Sequence, residues 1–231
     1  MEDLRENLWS HFFKSPRKNY NPYMFRLLDY PEYIIYDKKI MDSYKGKWHE
    51  FFGNDNPIYL EIGSGSGNFA QGMAKRYPER NHMGLELRFK RLVLSANKVK
   101  RDGSTNALFL RRRGEEILEF VAENEVDGIY VNFPDPWEEN EKNRVVQESF
   151  FKTLDVILKK GGMFYFKTDH DKYYQDVIDL VESLDGYRVV YHTADLHKSE
   201  KAADNIKTEF EQIFLCKHNK NINYIEIEKI K

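Results

Sequence analysis

Residues Tyr59-Leu60-Glu61-Ile62-Gly63-Ser64-Gly65-Ser66-Gly67-Asn68 decide the fold. A mostly apolar run ends in a carboxylate, Glu61. Glycines follow at every second position, Gly63, Gly65 and Gly67, and a helix-compatible segment opens at Asn68. Glycine accepts the positive φ of a tight strand-to-helix turn and lets the backbone pass close to a bound cofactor. A dinucleotide fingerprint spaces its glycines G-x-G-x-x-G. Here the third glycine comes one residue early and Asn68 occupies the position that spacing requires, which disfavours a nicotinamide cofactor.

Downstream of this turn the pattern alternates as a parallel sheet demands. Strands are predicted at 58–62, 82–86, 106–111, 127–132 and 162–168, and helices at 68–77, 89–101, 115–124, 144–159 and 171–184. Lys160-Gly161-Gly162 reads as a helix stop followed by a strand start. The tail predicts two further strands, 209–216 and 224–230, paired antiparallel at one edge. The expected fold class is α/β, a doubly wound, mostly parallel Rossmann-like sheet over residues 57–231. Residues 1–56 lack the alternation, are rich in aromatics and carry turn chemistry at 14–22. They are expected to form an N-terminal extension of helices and loops packed on the core.

The 231-residue chain is 41% hydrophobic and 32% charged, enough for a real core under a charged surface. No apolar run approaches the roughly 18 residues of a membrane span, and MEDLRENLWSHFF is too polar for a signal peptide, so a cytoplasmic protein without a membrane partner is expected. The single cysteine, Cys216, excludes an internal disulfide framework and a cysteine-based metal site. It sits in the apolar run IFLC and is expected to be a buried thiol; no metal is expected. Net charge is −2, which does not advertise a nucleic-acid binder. Basic clusters at Lys14, Arg17 and Lys18, at Arg88, Lys90 and Arg91, at Lys98, Lys100 and Arg101, and at Arg111 to Arg113 read individually as solvated faces. Together they keep an RNA partner open.

Three positions at predicted strand ends carry chemistry. Glu86 closes the second strand nineteen residues after Gly67, where nucleoside-binding α/β folds place an acidic group on the ribose hydroxyls. Glu115, after the third strand, is either an acceptor for an adenine amino group or an acidic first-turn residue favoured by the helix dipole. After the fourth strand comes Asn132-Phe133-Pro134-Asp135-Pro136-Trp137. Two prolines lock their own φ and restrict their predecessors, so this loop holds the Asp135 carboxylate still.

The G-x-G-x-G turn behind an acidic residue resembles the first motif of Rossmann-like S-adenosylmethionine methyltransferases. The chain as a whole resembles the bacterial tRNA (guanine-N7)-methyltransferase family. The matching pieces are YKGKW at 44–48, GNDNPI at 53–58, EIGSGSGNF at 61–69, GLE at 84–86, NFPDPW at 132–137, FKTD at 166–169, DLH at 195–197 and TEFE at 208–211. They keep the family's order over residues 40 to 216, and FPDPW with a late TEFE is far more specific than a glycine turn.

The resemblance implies methyl transfer from S-adenosylmethionine to N7 of a guanine in the tRNA variable loop, with tRNA as partner and a monomer or homodimer as the working form. It implies Glu61, Glu86 and Asp135 at the cofactor, with Asp135 as the catalytic residue. Gly63, Gly65, Gly67 and Glu115 join them on the reading of the turn and strand ends above. At the third strand, however, the family's usual Asp or Asn is replaced by Arg113 or Gly114, with Glu115 beside them. Asp169 and Thr208-Glu209-Phe210-Glu211 correspond to substrate-binding positions. The family's basic loop after DPW is replaced by Glu138-Glu139-Asn140-Glu141-Lys142-Asn143-Arg144. Lys142 or Arg144 is then left to supply the family's substrate-contacting lysine. That departure leaves two alternatives: a methyltransferase of another RNA or small molecule, and a non-catalytic binding module.

Overall fold

The computed structural model describes residues 21–218 and 220–231, the side chains of 216–218 excepted. Its eight-stranded sheet has the order β1-β4-β3-β2-β5-β6-β8-β7. The strands are β1 Ile34–Ile35, β2 Ile58–Ile62, β3 Asn81–Leu85, β4 Ala107–Leu110, β5 Val126–Asn132, β6 Leu158–Thr168, β7 Tyr187–Thr193 and β8 Asn223–Lys229. Strand β8 runs antiparallel to both neighbours, β6 and β7; the other pairings are parallel.

The period of two in each strand sorts its side chains between the two sheet faces. Leu60, Ile129, Phe164 and Ile227 share one face, where they are fully buried with Phe151, Leu154, Val177 and Val181 of helices α7 (Glu148–Ile157) and α8 (Asp171–Glu182). Each such side chain contributes roughly 1.5–3 kcal/mol by leaving water. The opposite face reads Tyr59 and Glu61 on β2, Tyr130 and Asn132 on β5, and Tyr165 and Lys167 on β6. Polar groups this far inside a domain are costly unless they are bonded or functional.

That face is covered by α4 (Asn68–Arg76), whose Phe69 and Met73 pack on Tyr130; α5 (Phe89–Asp102) lies beside it. The chain travels from β2 through β3 to β4, then returns to the other side of β2 as β5. The order therefore reverses between β2 and β5, the place where doubly wound sheets open a crevice beyond the carboxyl ends of their strands.

The extension is described from residue 21, so Trp9, Phe12, Phe13, Tyr20 and the Lys14, Arg17 and Lys18 cluster lie outside the described residues. Its remainder forms the short helices α1 (Tyr23–Arg26), α2 (Lys38–Ser43) and α3 (Trp48–Phe52) and also strand β1, which lengthens the sheet beyond β4. Trp48 is fully buried, with Nε1 donating to Phe120 O at 2.8 Å. The Glu125 carboxylate accepts from the backbone N–H groups of Gly46, Trp48 and Ala122 at 3.0, 3.3 and 2.7 Å.

Four expectations are corrected. Residues 209–216, read as a strand, belong to helix α9 (Glu209–His218). The strand that pairs with β8 at the edge is instead β7. The helix expected at 115–124 is a 3-10 turn, Gly114–Glu116, and one short helix, α6 (Ile117–Phe120), because Asn124 turns at φ +51° and Ala122 bonds Glu125. Helix 144–159 shrinks to α7, its beginning displaced by the fixed segment at Arg144. It gives way to β6 at Leu158, so Gly161, at φ +77°, lies within the strand rather than at the helix end.

Candidate active site

All three glycines of the turn after β2 have positive φ, +78° at Gly63, +57° at Gly65 and +78° at Gly67. A Cβ on Gly63 would meet nothing within 4 Å, and one on Gly65 only the Arg91 guanidinium at 4.0 Å. At Gly67 it would lie 2.6 Å from Ser95 of α5. The first two glycines therefore face open space, and the third allows helix against turn. Ser95 Oγ also donates to Gly65 O at 3.2 Å, fixing the turn from behind.

Glu61 and Asn132 end adjacent parallel strands, and Asn132 Nδ2 donates to Glu61 Oε1 at 2.9 Å. The glycine turn and the proline-flanked loop thus leave the sheet side by side. Glu61 Oε2 is buried and has no partner. Burial pushes the Glu61 carboxyl up to about 7, against the Asn132 hydrogen bond and the Lys167 charge, which favour ionisation, and with Glu86 opposing it. Glu86 is buried at the end of β3, its Oε1 accepting from the N–H groups of Leu87 and Arg88, both at 2.8 Å, with Arg91 3.5 Å from Oε2.

The Asp135 loop is pinned on both sides of an exposed carboxylate. Phe133 N donates to Lys167 O at 2.8 Å. Arg144, buried against the Tyr173 ring, donates to Pro136 O at 2.7 Å and to Asp176 at 2.7 Å. Phe133 and Trp137 hold positive φ, +51° and +46°, a strained conformation for side chains of this size. Asp135 itself makes one local bond, accepting from Trp137 N at 3.2 Å.

Residues 208–211 form the first turn of α9 with a reciprocal cap: Thr208 Oγ1 accepts from Glu211 N at 3.0 Å and Glu211 Oε2 from Thr208 N at 3.3 Å. Glu211 is fully buried. Its oxygens also meet Lys167 Nζ at 3.1 Å, Asn205 Nδ2 at 2.6 Å and His197 Nε2 at 2.9 Å. Both of its oxygens are thus occupied by protein partners. Phe210 is exposed, its ring 4.9 Å from Phe133. Glu209 bonds Ser66 of the glycine turn.

Asp169, half-buried just past β6, receives Lys220 Nζ on its carbonyl at 2.7 Å. Glu115 is exposed on its 3-10 turn, and the neighbouring Gly114 abuts Ile62, where a Cβ would lie 3.1 Å away. Lys142 is exposed, while Arg144 is fully engaged in holding the loop. Glu138 and Glu141 of the acidic loop are tied back by His170 and by Lys172 with Arg144, at 3.2, 2.8 and 3.1 Å. A separate cavity of about 230 Å³, lined by Tyr130, Tyr165, Tyr224 and Arg80, borders Lys167 but takes in neither the glycine turn nor Asp135.

Comparison with known proteins fits this geometry. Residues 55–224 match a family model described as "Putative methyltransferase". A tRNA (guanine-N(7)-)-methyltransferase of Enterococcus faecalis is 39% identical over 80% of the chain and 85% of its own length. The chain belongs to the tRNA (guanine-N7)-methyltransferase family. As a member of it, it is an S-adenosylmethionine-dependent methyltransferase. A bifunctional glycosyltransferase/methyltransferase of Fusobacterium nucleatum is 62% identical over the whole chain, which spans 36% of that relative's length. Among solved structures, the 16S rRNA methyltransferase KamB superposes with a TM-score of 0.61 at 13% identity, covering 80% of this chain and 94% of that one. That likeness concerns the Rossmann-like fold alone. Among the described residues no helix is long and apolar enough to cross a membrane.

The residues at hand suit the methyl donor that methyltransferases of this family use. Two glycines leave room for a ligand, and Glu61 Oε2 is a buried acceptor without a donor. Above its ordinary value of 4.5, the Glu61 carboxyl is held protonated by burial. Its contribution to stability is therefore complete below pH 4.5 and is lost as pH rises through 7. A cationic ammonium meeting Oε2 favours the ionised form and reverses that preference. Binding of S-adenosylhomocysteine is thus expected to release protons near pH 6.5, read as a buffer-dependent calorimetric heat. Glu61→Gln is expected to abolish the release.

Sequence reasoning missed Asn132, Lys167 and Ser66 as site residues. Lys167 and Asn132 were legible as polar positions on strands of otherwise apolar alternation, on the same parity as the motif carboxylates.

Proposed function

We infer that this methyltransferase transfers the methyl group of S-adenosylmethionine to N7 of a guanine in tRNA, in the cytoplasm. The observation that carries the reading is the Asn132–Glu61 bond, which seats the rigid Asp135 loop beside the glycine turn. Family membership supports it.

The cofactor supplies an electrophilic methyl on a sulfonium. Guanine N7 already presents an in-plane lone pair, so the protein has no proton to remove. Its task is alignment and electrostatics. Gly63 and Gly65 leave room for the donor, and Glu61 and Glu86 receive its hydrogen-bond donors; Asn132 holds the first carboxylate in place, and Leu87 N, Arg88 N and Arg91 hold the second. Asp135 is exposed on a loop whose shape is fixed before substrate arrives, by Phe133 N on Lys167 O and Arg144 on Pro136 O, and is assigned to the crevice in this reading. Its negative charge faces the positive charge that methylation creates on the purine, and a carboxylate also accepts from guanine N1–H and N2–H₂, which adenine does not offer. Reaching N7 in folded tRNA requires local displacement of the base.

The acidic loop, being tied back on the protein, leaves phosphate contacts to exposed cations such as Lys142, Arg88 and Lys90. Such contacts weaken with salt. Labelled S-adenosylmethionine offered in parallel to bulk tRNA, ribosomal RNA and a small-molecule extract at low salt is expected to give acid-precipitable label in tRNA. Label confined to ribosomal RNA or small molecules would select a different acceptor, and no label anywhere would select a binding module.

A further inference from the structure

Each side chain in the first turn of α9 fastens a different part of the site. Thr208 caps the helix, Phe210 leans on Phe133 of the Asp135 loop, and Glu211 holds Lys167 at the end of β6. Glu209 reaches the glycine turn, its Oε2 accepting from Ser66 Oγ at 2.5 Å, 143 residues away in sequence. Lys98 of α5 joins the same point, donating to Ser66 O at 2.8 Å and Oγ at 3.2 Å and bonding Asn68 Oδ1. Burial lowers the Lys98 ammonium pKa, and the Glu209 charge opposes that.

Residues 63–67 combine three glycines with two serines, so the free turn has many accessible shapes and little side-chain bulk to select one. Ser64 N donates to Leu85 O of β3 at 2.8 Å, and Ser95 and Lys98 restrain the turn from α5. Glu209 adds a side-chain restraint at Ser66, from the element that also touches the catalytic loop.

We propose that Glu209 is a positioning residue for the cofactor rather than a contact to RNA: by holding Ser66 it keeps the glycine turn in its cofactor-receiving shape and joins that turn to the Asp135 loop through α9. The proposal rests on the glycine turn being the cofactor site. A turn that loses this restraint spends a smaller fraction of its time receptive, and apparent affinity falls by that fraction. Removing a charge-assisted hydrogen bond of this kind is expected to cost roughly tenfold in affinity.

The test is calorimetric titration of S-adenosylhomocysteine into the wild-type chain, Glu209→Ala, Ser66→Ala and the double variant, with KM for tRNA measured at saturating cofactor. Both single variants are expected to raise Kd about tenfold, and the double variant no further, since the two residues share one interaction. Glu209→Gln, which keeps an acceptor but not the charge, is expected to lie between and serves if the alanine variant does not fold. KM for tRNA is expected to stay within about twofold of wild type. An unchanged Kd with a raised tRNA KM would overturn the proposal and return Glu209 to the substrate. Strictly additive losses would overturn the shared bridge. If the wild-type chain itself failed to bind, the cofactor reading would fall, and the proposal with it.

Discussion

Asp135→Ala is expected to lower methyl transfer by at least about 10²–10³-fold, the range seen when a preorganised electrostatic group is removed from an active site. The protein should remain folded. Asp135 is exposed and accepts one local bond, from Trp137 N at 3.2 Å. The loop's shape is held elsewhere, by Phe133 N on Lys167 O and by Arg144 on Pro136 O. The melting temperature should therefore shift by no more than a few degrees, as for a surface change of about 1 kcal/mol. Asp135→Asn sharpens the reading, because it preserves an acceptor for Trp137 N and removes only the charge. If the charge carries the effect, Asn fails nearly as badly as Ala in single-turnover assays with saturating cofactor. A fully active Asn variant would reduce Asp135 to a loop anchor.

Glu211→Ala is expected to act on stability before it acts on rate. Lys167 and Glu211 are an ion pair buried on both sides, 3.1 Å apart. Deleting one partner of such a pair leaves an uncompensated charge and typically costs 3–5 kcal/mol. Lys167 keeps Asn205 Oδ1 and Ile206 O as acceptors at 2.7 and 3.0 Å, so a loss of about 3 kcal/mol is expected. Half of the reciprocal α9 cap goes with the same substitution: Thr208 N loses its Glu211 acceptor, while Thr208 Oγ1 still accepts from the backbone N of residue 211. Lys167→Met in the Glu211→Ala background should recover much of the loss, since no buried charge then remains. Urea unfolding of the wild type, Glu211→Ala and the double variant measures both effects. A Glu211→Ala variant as stable as wild type would mean that water reaches the pair.

Much of this architecture was legible in the sequence because the decisive signals are local. The strand, glycine turn and helix at 58–76 follow from apolar alternation, three permissive glycines and an amphipathic run, and they stand where the periodicity put them. The tail misled for an equally local reason. Ile213-Phe214-Leu215 is an apolar run that a strand or a buried helix could carry. The overlooked signal was Thr208-x-x-Glu211, a capping-box spacing that marks a helix start. Strand β7 was readable in the alternation of Tyr187, Val189 and Tyr191, but it pairs only at the sheet edge and buries less.

The candidate site divides the same way. Glu61, Glu86 and Asp135 could be read because motifs mark strand ends. The bonds that organise them join residues 71 apart for Asn132 and Glu61, 44 apart for Lys167 and Glu211, and 143 apart for Ser66 and Glu209. No spacing rule reaches across such distances. The acidic loop shows the converse: its charges look like a missing RNA grip in sequence, while in the fold Glu138 and Glu141 face His170, Lys172 and Arg144.

The most direct test is nucleoside mass spectrometry of an unmodified tRNA transcript incubated with the protein and S-adenosylmethionine. A crevice that brings a sulfonium methyl onto a purine lone pair predicts 7-methylguanosine at one variable-loop position, absent with Asp135→Ala. Methylation of guanine N1 or N2, or of the ribose, would contradict the account, which places the methyl on the N7 lone pair with no proton removed.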